Sequence, residues 1–293
     1  MFGKFEIVVA AVLAFMISQS AVAAERYGTL KKIEDSGVIV MGYREASEPF
    51  SYMGPEGNPI GYTIDLCDKI IDKIKETLSI PDLKVKRVSV TSQTRIPLLK
   101  NGTIDIECGS TTNNLTRANH IDYLAITFFT GTKLAVKKGA GIKEIEDLED
   151  KIIALALGTT NEKAVKRLNK EKGLSIKFEI VKTHRQGWDA LESGLVDAYA
   201  TDHVLLYGLI NKSEKLDQYE VVGRFLSYDP YSIMVRRDDS AMRLIGNTAL
   251  ADLMRSGEIQ KIYDKWFNPG PAEINMPISS ALKTAFEIQA LPY

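Results

Sequence analysis

The chemistry of this sequence gathers first around Arg95, in the stretch Thr91-Ser92-Gln93-Thr94-Arg95-Ile96-Pro97. Pro97 suits the first turn of a helix and Asn101-Gly102 its end, so Arg95 sets a guanidinium at a helix N-terminus. The macrodipole disfavours a cation there by roughly 0.3–1 kcal/mol, and an anion bound at the same point removes the mismatch. The helix runs into a β-branched strand, residues 103–108, and then a second polar loop, Gly109-Ser110-Thr111-Thr112-Asn113-Asn114. Both polar loops fall at one edge of a sheet, which predicts a carboxylate site.

Other elements bring polar groups to comparable places. An apolar strand over residues 38–42 ends at Tyr43-Arg44-Glu45, and loops beyond the carboxyl ends of such strands are where α/β sheets carry function. A strand over residues 152–157 ends at Gly158-Thr159-Thr160, where Thr159 and Glu162 have capping-box spacing and free backbone N–H groups suit an anion. The pattern Leu99-Lys100-Asn101-Gly102-Thr103-Ile104-Asp105 returns as Leu191-Glu192-Ser193-Gly194-Leu195-Val196-Asp197. That offset pairs Ser92 with His184 and Ser110 with Asp202, so two similar halves would carry complementary polar loops.

The supporting elements read as alternating strands and helices. Cys67, Ile70, Ile71, Ile74 and Leu78 share one helical face, and residues 83–90 alternate as a strand. Apolar segments at 128–136 and 231–235 could form a two-strand connection between halves. Helices follow over 241–256 and 258–267, with Trp266 and Phe267 as core residues, and a short amphipathic helix lies near 281–286. Asp202, just ahead of an apolar helix, is also placed to act as an N-cap.

The 293 residues suffice for two domains, with 45% hydrophobic and 26% charged residues typical of a globular protein. A formal net charge of −1 argues against a nucleic-acid partner. Lys4, an apolar run at 7–17 and Ala21-Val22-Ala23 read as an export signal over residues 1–23. The two cysteines, Cys67 and Cys108, fit no metal motif and in an oxidising compartment are candidates for one disulfide. His120, His184 and His203 have no ligand spacing and no phosphate-binding glycine motif occurs, so no metal or other cofactor is expected.

The segments Thr91 to Pro97, Cys108 to Asn113, Gly158-Thr159-Thr160 and Lys261-Ile262-Tyr263-Asp264-Lys265-Trp266-Phe267 together resemble the extracellular solute-binding proteins of family 3, especially those of ABC transporters for glutamate and aspartate. The resemblance runs from about residue 30 to about 278. It implies a two-lobed periplasmic-binding-protein fold: two similar α/β lobes joined by two crossover strands, with residues 24–135 and 232–293 as lobe I and 136–231 as lobe II. It further implies a monomer in the periplasm that closes on L-glutamate or L-aspartate, delivers it to a membrane permease and performs no chemistry. By position, Arg95, Ser92, Ser110 and Thr112 would hold the α-carboxylate and Asp202 the α-ammonium. Arg44, His184, Thr159 and Thr160 would address the side-chain carboxylate, although Asn161 stands where the pattern has a hydroxyl. Two arginines and one aspartate also match, by charge alone, a zwitterion with a second carboxylate.

Two rivals share the scaffold. A periplasmic dehydratase acting on a prephenate-like dicarboxylate would need a general acid, for which Glu45, Glu48 and Glu162 are available. A receptor sensor domain is the other. Ser280-Ala281-Leu282-Lys283 matches the Ser-x-x-Lys pattern without its partner motifs.

Overall fold

Asp105 and Asp197 perform the same task in two separate sheets. The Asp105 N–H donates to the Val40 carbonyl (2.8 Å) and its carboxylate accepts from the Val40 N–H (2.9 Å). Asp197 makes the same pair of bonds with Ile152, both at 2.8 Å. Each aspartate thus ties the start of its strand to the neighbouring parallel strand, so the sequence echo is a structural repeat. The computed structural model describes residues 27–293 except Glu214, Gly270 and Ala272. The expected export signal at 1–23 lies outside the described residues.

In chain order the first part contains α1 (Gly28–Ser36), β1 (Val38–Tyr43), the small antiparallel sheet β2 (Ala46–Ser47), β3 (Ser51–Met53) and β4 (Pro59–Ile60), then α2 (Tyr62–Leu78) and β5 (Lys84–Ser89). It continues with α3 (Arg95–Lys100), β6 (Ile106–Cys108), α4 (Leu115–Ala118) and β7 (Ile121–Thr130). The middle of the chain supplies β8 (Thr132–Lys137), β9 (Ile152–Ala156), α5 (Thr160–Lys172), β10 (Lys177–Val181), α6 (His184–Ser193), β11 (Ala198–Asp202), α7 (His203–Lys212) and β12 (Tyr219–Val222). The chain then returns through β13 (Asp229–Arg236) to α8 (Ser240–Ser256), α9 (Glu258–Phe267) and α10 (Ser280–Gln289).

One sheet has the order β5-β1-β6-β13-β7 and the other β10-β9-β11-β8-β12. In each, the first three strands are parallel and the last two join antiparallel. The two lobes are therefore built to one plan, and the first contains both the beginning and the end of the described chain.

The segment 128–136, expected as a single strand, is two. Gly131 separates β7 from β8, and the two belong to different sheets. The return segment runs beside it: Thr132 N–H donates to Ser227 Oγ (3.1 Å) and Leu226 N–H to the Thr132 carbonyl (2.9 Å). A methyl group at Gly131 would overlap the Ser227 carbonyl, so close passage of the two crossovers requires glycine there. The expected lobe boundaries at 135/136 and 231/232 fall inside β8 and β13.

The apolar positions of α2 pack on the first sheet as its spacing predicts, with Ile70, Ile71, Ile74 and Leu78 buried. At the crossover the core becomes aromatic: Phe50 meets Phe128 edge-on at 4.9 Å and Tyr231 at 5.0 Å, and Phe128 stacks with Phe267 at 5.0 Å. Such pairs add roughly 0.5–1.5 kcal/mol each beyond their buried area. Trp266 is also buried, its indole N–H donating to Asp65 Oδ2 (2.7 Å). Cys67 on α2 and Cys108 at the end of β6 form a disulfide with their Cα atoms 6.3 Å apart, which answers the pairing left open by spacing.

Candidate ligand-binding site

The loops that the sequence singles out converge between the two sheets. Arg44 follows β1, Arg95 begins α3, and Ser110 and Thr112 follow β6 on the first lobe. From the second come Thr159 and Thr160 at the start of α5, His184 at the start of α6 and Asp202 at the end of β11. The lobes touch here: Thr112 and Thr160 hydroxyls lie 3.1 Å apart, and Tyr231 donates a short hydrogen bond to Asp202 Oδ2.

Arg95 is 2% exposed. Its Nη1 donates to the Ser110 carbonyl (3.1 Å) and to the Thr111 hydroxyl, and lies 3.6 Å from Glu107 Oε1. Thr111 in turn donates to Glu107 Oε2 (2.7 Å). The guanidinium is thus held by one edge, while its Nε has no hydrogen-bond partner among the described residues. Arg44 is buried as well, and its Nη1 also lacks a partner among the described residues. Burial and the like charge of Arg95 push the Arg44 guanidinium down to about 10. Among the described residues Arg44 forms no ion pair with the neighbouring Glu45 or Glu48, and Glu48 pairs with Lys212 instead. Ser92 Oγ and Ser110 Oγ are buried and unpartnered as well. An unpaired buried polar atom costs about 1–3 kcal/mol, more when charged, so this cluster is stabilised by any ligand that accepts its hydrogens.

A second, acidic corner faces it. Asp202 Oδ1 accepts from Asn161 Nδ2 (3.0 Å), and Asn161 also donates to Thr132 Oγ1 (2.7 Å). Asn161, a departure from the hydroxyl pattern, therefore orients the carboxylate. Burial first, and the neighbouring Asp229 second, push the Asp202 carboxyl up to about 7. Asp229 Oδ1 accepts from the Thr112 hydroxyl (3.0 Å). Asp202 stands at the N-cap position of α7 as its place in the sequence predicts, but it makes no side-chain cap: its oxygens turn to Asn161 and Tyr231 instead.

His184 is 2% exposed and its Nδ1 lies 2.7 Å from the Tyr199 hydroxyl. Burial, with Arg44 and Arg95 nearby, holds its pKa well below the usual range, so the ring is neutral. Thr159 caps α5 by accepting from Glu162 N–H (3.0 Å) while donating to the Ala156 carbonyl (2.7 Å). Its hydroxyl is thereby occupied, and what this turn offers the cleft is backbone N–H and Thr160. The reciprocal half of the expected capping box is absent, because Glu162 Oε2 accepts instead from Gly158 N–H (2.8 Å).

Several residues that matter here escaped the sequence reading. Arg117 is buried, donates to the Thr112 carbonyl (2.9 Å) and reaches across to the Gly158 carbonyl (3.2 Å). Burial, with Arg95 nearby, lowers its pKa to about 10. Glu107 was marked only by being a carboxylate inside an apolar strand, a position that demands a cationic partner. Asp229 and Tyr231 lie on a crossover strand and carry no local motif. Of the carboxylates available as general acids, Glu48 Oε1 accepts from Lys212 (2.7 Å) and Glu162 from Lys166 (2.8 Å), while Glu45 is exposed.

Residues 39–269 match the family model "Bacterial extracellular solute-binding proteins, family 3". The L-glutamate/L-aspartate-binding protein of Pseudomonas aeruginosa is 44% identical over 93% of this chain and 92% of its own length. The glutamate/aspartate import solute-binding protein of Escherichia coli K12 is 39% identical over 96% and 94%. The crystal structure of the cysteine-binding protein from Campylobacter jejuni superposes with a TM-score of 0.75 at 25% identity, covering 87% of this chain and 98% of that one. A paired two-lobe architecture, buried polar loops meeting between the lobes and a family match across both of them lead to one conclusion: the chain belongs to the bacterial extracellular solute-binding proteins, family 3.

Proposed function

We propose that this protein captures L-glutamate or L-aspartate between its lobes in the periplasm and, as a monomer, presents it to the membrane permease of an ABC transporter. The observation that carries this reading is the pairing of unpartnered buried donors on Arg44, Ser92, Arg95 and Ser110 with a facing carboxylate, Asp202. An acidic amino acid supplies two acceptor groups and one ammonium, which matches that arrangement. The names of the two curated relatives support the ligand class, and that of the Escherichia coli relative also the import role. In this reading Arg95, Ser92 and Ser110 take the α-carboxylate and Asp202 takes the ammonium. Arg44, His184 and the first turn of α5 take the side-chain carboxylate, with Thr112 and Thr160 closing the seam. Residues up to about 131 and from about 229 form one moving unit, and those between form the other.

Four charge-assisted hydrogen bonds near the upper end of about 1.5–3 kcal/mol each sum to about 12 kcal/mol, which covers the roughly 8 kcal/mol of micromolar binding and leaves a remainder for closure. A dehydratase on this scaffold is disfavoured, because the two curated relatives are named as binding proteins and two of the three candidate acids, Glu48 and Glu162, hold ion pairs with lysines. A thermal-shift panel of the amino acids tests the proposal. At about 1,000 times Kd a ligand adds about 4 kcal/mol, which raises Tm by roughly 8–16 °C in a protein of this size. A panel with no acidic hit, or led by a basic amino acid, overturns it.

A further inference from the structure

His184 owes its chemistry to residues behind it. Tyr199 is fully buried on β11, and its hydroxyl stands 2.7 Å from His184 Nδ1. Thr201, two residues along the same strand and also fully buried, lies 3.4 Å from the same Nδ1. On the other side, α6 carries Gly187 against the Tyr199 ring so closely that a methyl group would overlap it. A glycine that admits the ring and the hydrogen bond of its hydroxyl therefore hold Tyr199 against one nitrogen of His184.

A hydroxyl bonded in this way settles where the imidazole proton sits. Among the described residues the hydrogen-bond partner of the Tyr199 hydroxyl is Nδ1, so its buried proton is directed there and the ring hydrogen is on Nε2. Nε2 has no hydrogen-bond partner among the described residues. It then joins the Arg44 guanidinium in offering only donors to the group it meets. A carboxylate satisfies two donors with two acceptor oxygens, whereas a carboxamide must turn its NH2 toward one of them and leave an unmade hydrogen bond.

We propose that Tyr199, seated against Gly187, is a positioning residue that fixes His184 as the Nε2–H tautomer and thereby makes the site select a side-chain carboxylate over the corresponding amide. This rests on the acidic amino-acid reading above and adds to it the element that rejects glutamine and asparagine.

The test has two arms. In the first, 15N–1H correlation spectra of the ligand-free protein report the His184 tautomer, which a purely structural tyrosine would not determine. The expected result is protonated Nε2 and bare Nδ1 in the unmodified chain, with that pattern lost in Tyr199→Phe. In the second, calorimetry compares glutamate with glutamine for the unmodified protein, Tyr199→Phe and Thr201→Val. The preference for glutamate should fall by about ten-fold in Tyr199→Phe, with a smaller fall in Thr201→Val. A proton on Nδ1 in the unmodified protein overturns the proposal, as does an unchanged preference in both variants. If the unmodified protein binds no acidic amino acid, the proposed function fails while the tautomer arm still judges Tyr199.

Discussion

The raised pKa of Asp202 makes ligand capture a proton-releasing event. Its carboxyl sits at about 7 in the ligand-free protein because it is buried and close to Asp229. A ligand ammonium is held by the ionised form alone, so each molecule bound below that pH must expel a proton. The ionised fraction is roughly 0.9 at pH 8 and 0.1 at pH 6, so the dissociation constant for glutamate should be about ten-fold higher at pH 6. Titration calorimetry in buffers of different ionisation enthalpy should record release of about 0.9 proton at pH 6 and about 0.1 at pH 8. Asp202→Asn should bind more weakly and lose the pH dependence. Affinity within two-fold between pH 6 and 8, with no buffer-dependent proton release, refutes the reasoning. Affinity is the quantity to measure because stability mixes two opposite effects. Asp202 is raised, so the folded state keeps a proton the unfolded chain loses, and its effect lowers ligand-free stability as pH rises from about 4 to about 7. His184 is lowered, so the stability it contributes is present above about 6.5 and is lost as pH falls below that.

Arg95→Ala should abolish binding of every amino acid, whereas Arg44→Ala should weaken acidic ligands selectively; equal loss across ligands in a calorimetric panel removes Arg44 from the side-chain role. Replacing Cys67 and Cys108 by serine should cost about 4 kcal/mol in urea unfolding, from the entropy of a loop of 41 residues, and a cost below about 1 kcal/mol would contradict it. Glu107→Gln keeps an acceptor for Thr111 but leaves Arg95 without its buried counter-charge, and should lower ligand-free stability by about 3–5 kcal/mol. Because the bound carboxylate then becomes the main partner of Arg95, glutamate should raise the Tm of this variant more than that of the unmodified protein. A smaller rise counts against the pairing.

How much of this was legible in the chain depends on the range of the interaction involved. Arg95 at its helix start, the N-cap at Thr159 and the apolar face of α2 follow from neighbours within a few residues, where periodicity and capping rules act. The repeat joining Asp105 to Asp197 was visible because each half is built from the same local strand–helix unit. From these alone, a two-lobed α/β architecture and a polar site at the strand ends could be read.

Tertiary structure decided the pairing of groups distant in sequence. Arg117 reaches Gly158, Asn161 turns Asp202, and Tyr231 and Asp229 enter the acidic corner from the returning crossover strand. None of these has a local signature, because a hydrogen bond between chain-distant residues depends on where two lobes meet. The same holds for ionisation. Asp202 could equally have capped α7 as an ordinary exposed carboxylate, and Arg44 could have paired at the surface; burial between the lobes moved both. Local sequence therefore determined which residues stand at the strand ends, and desolvation between the lobes determined their charge state and partners.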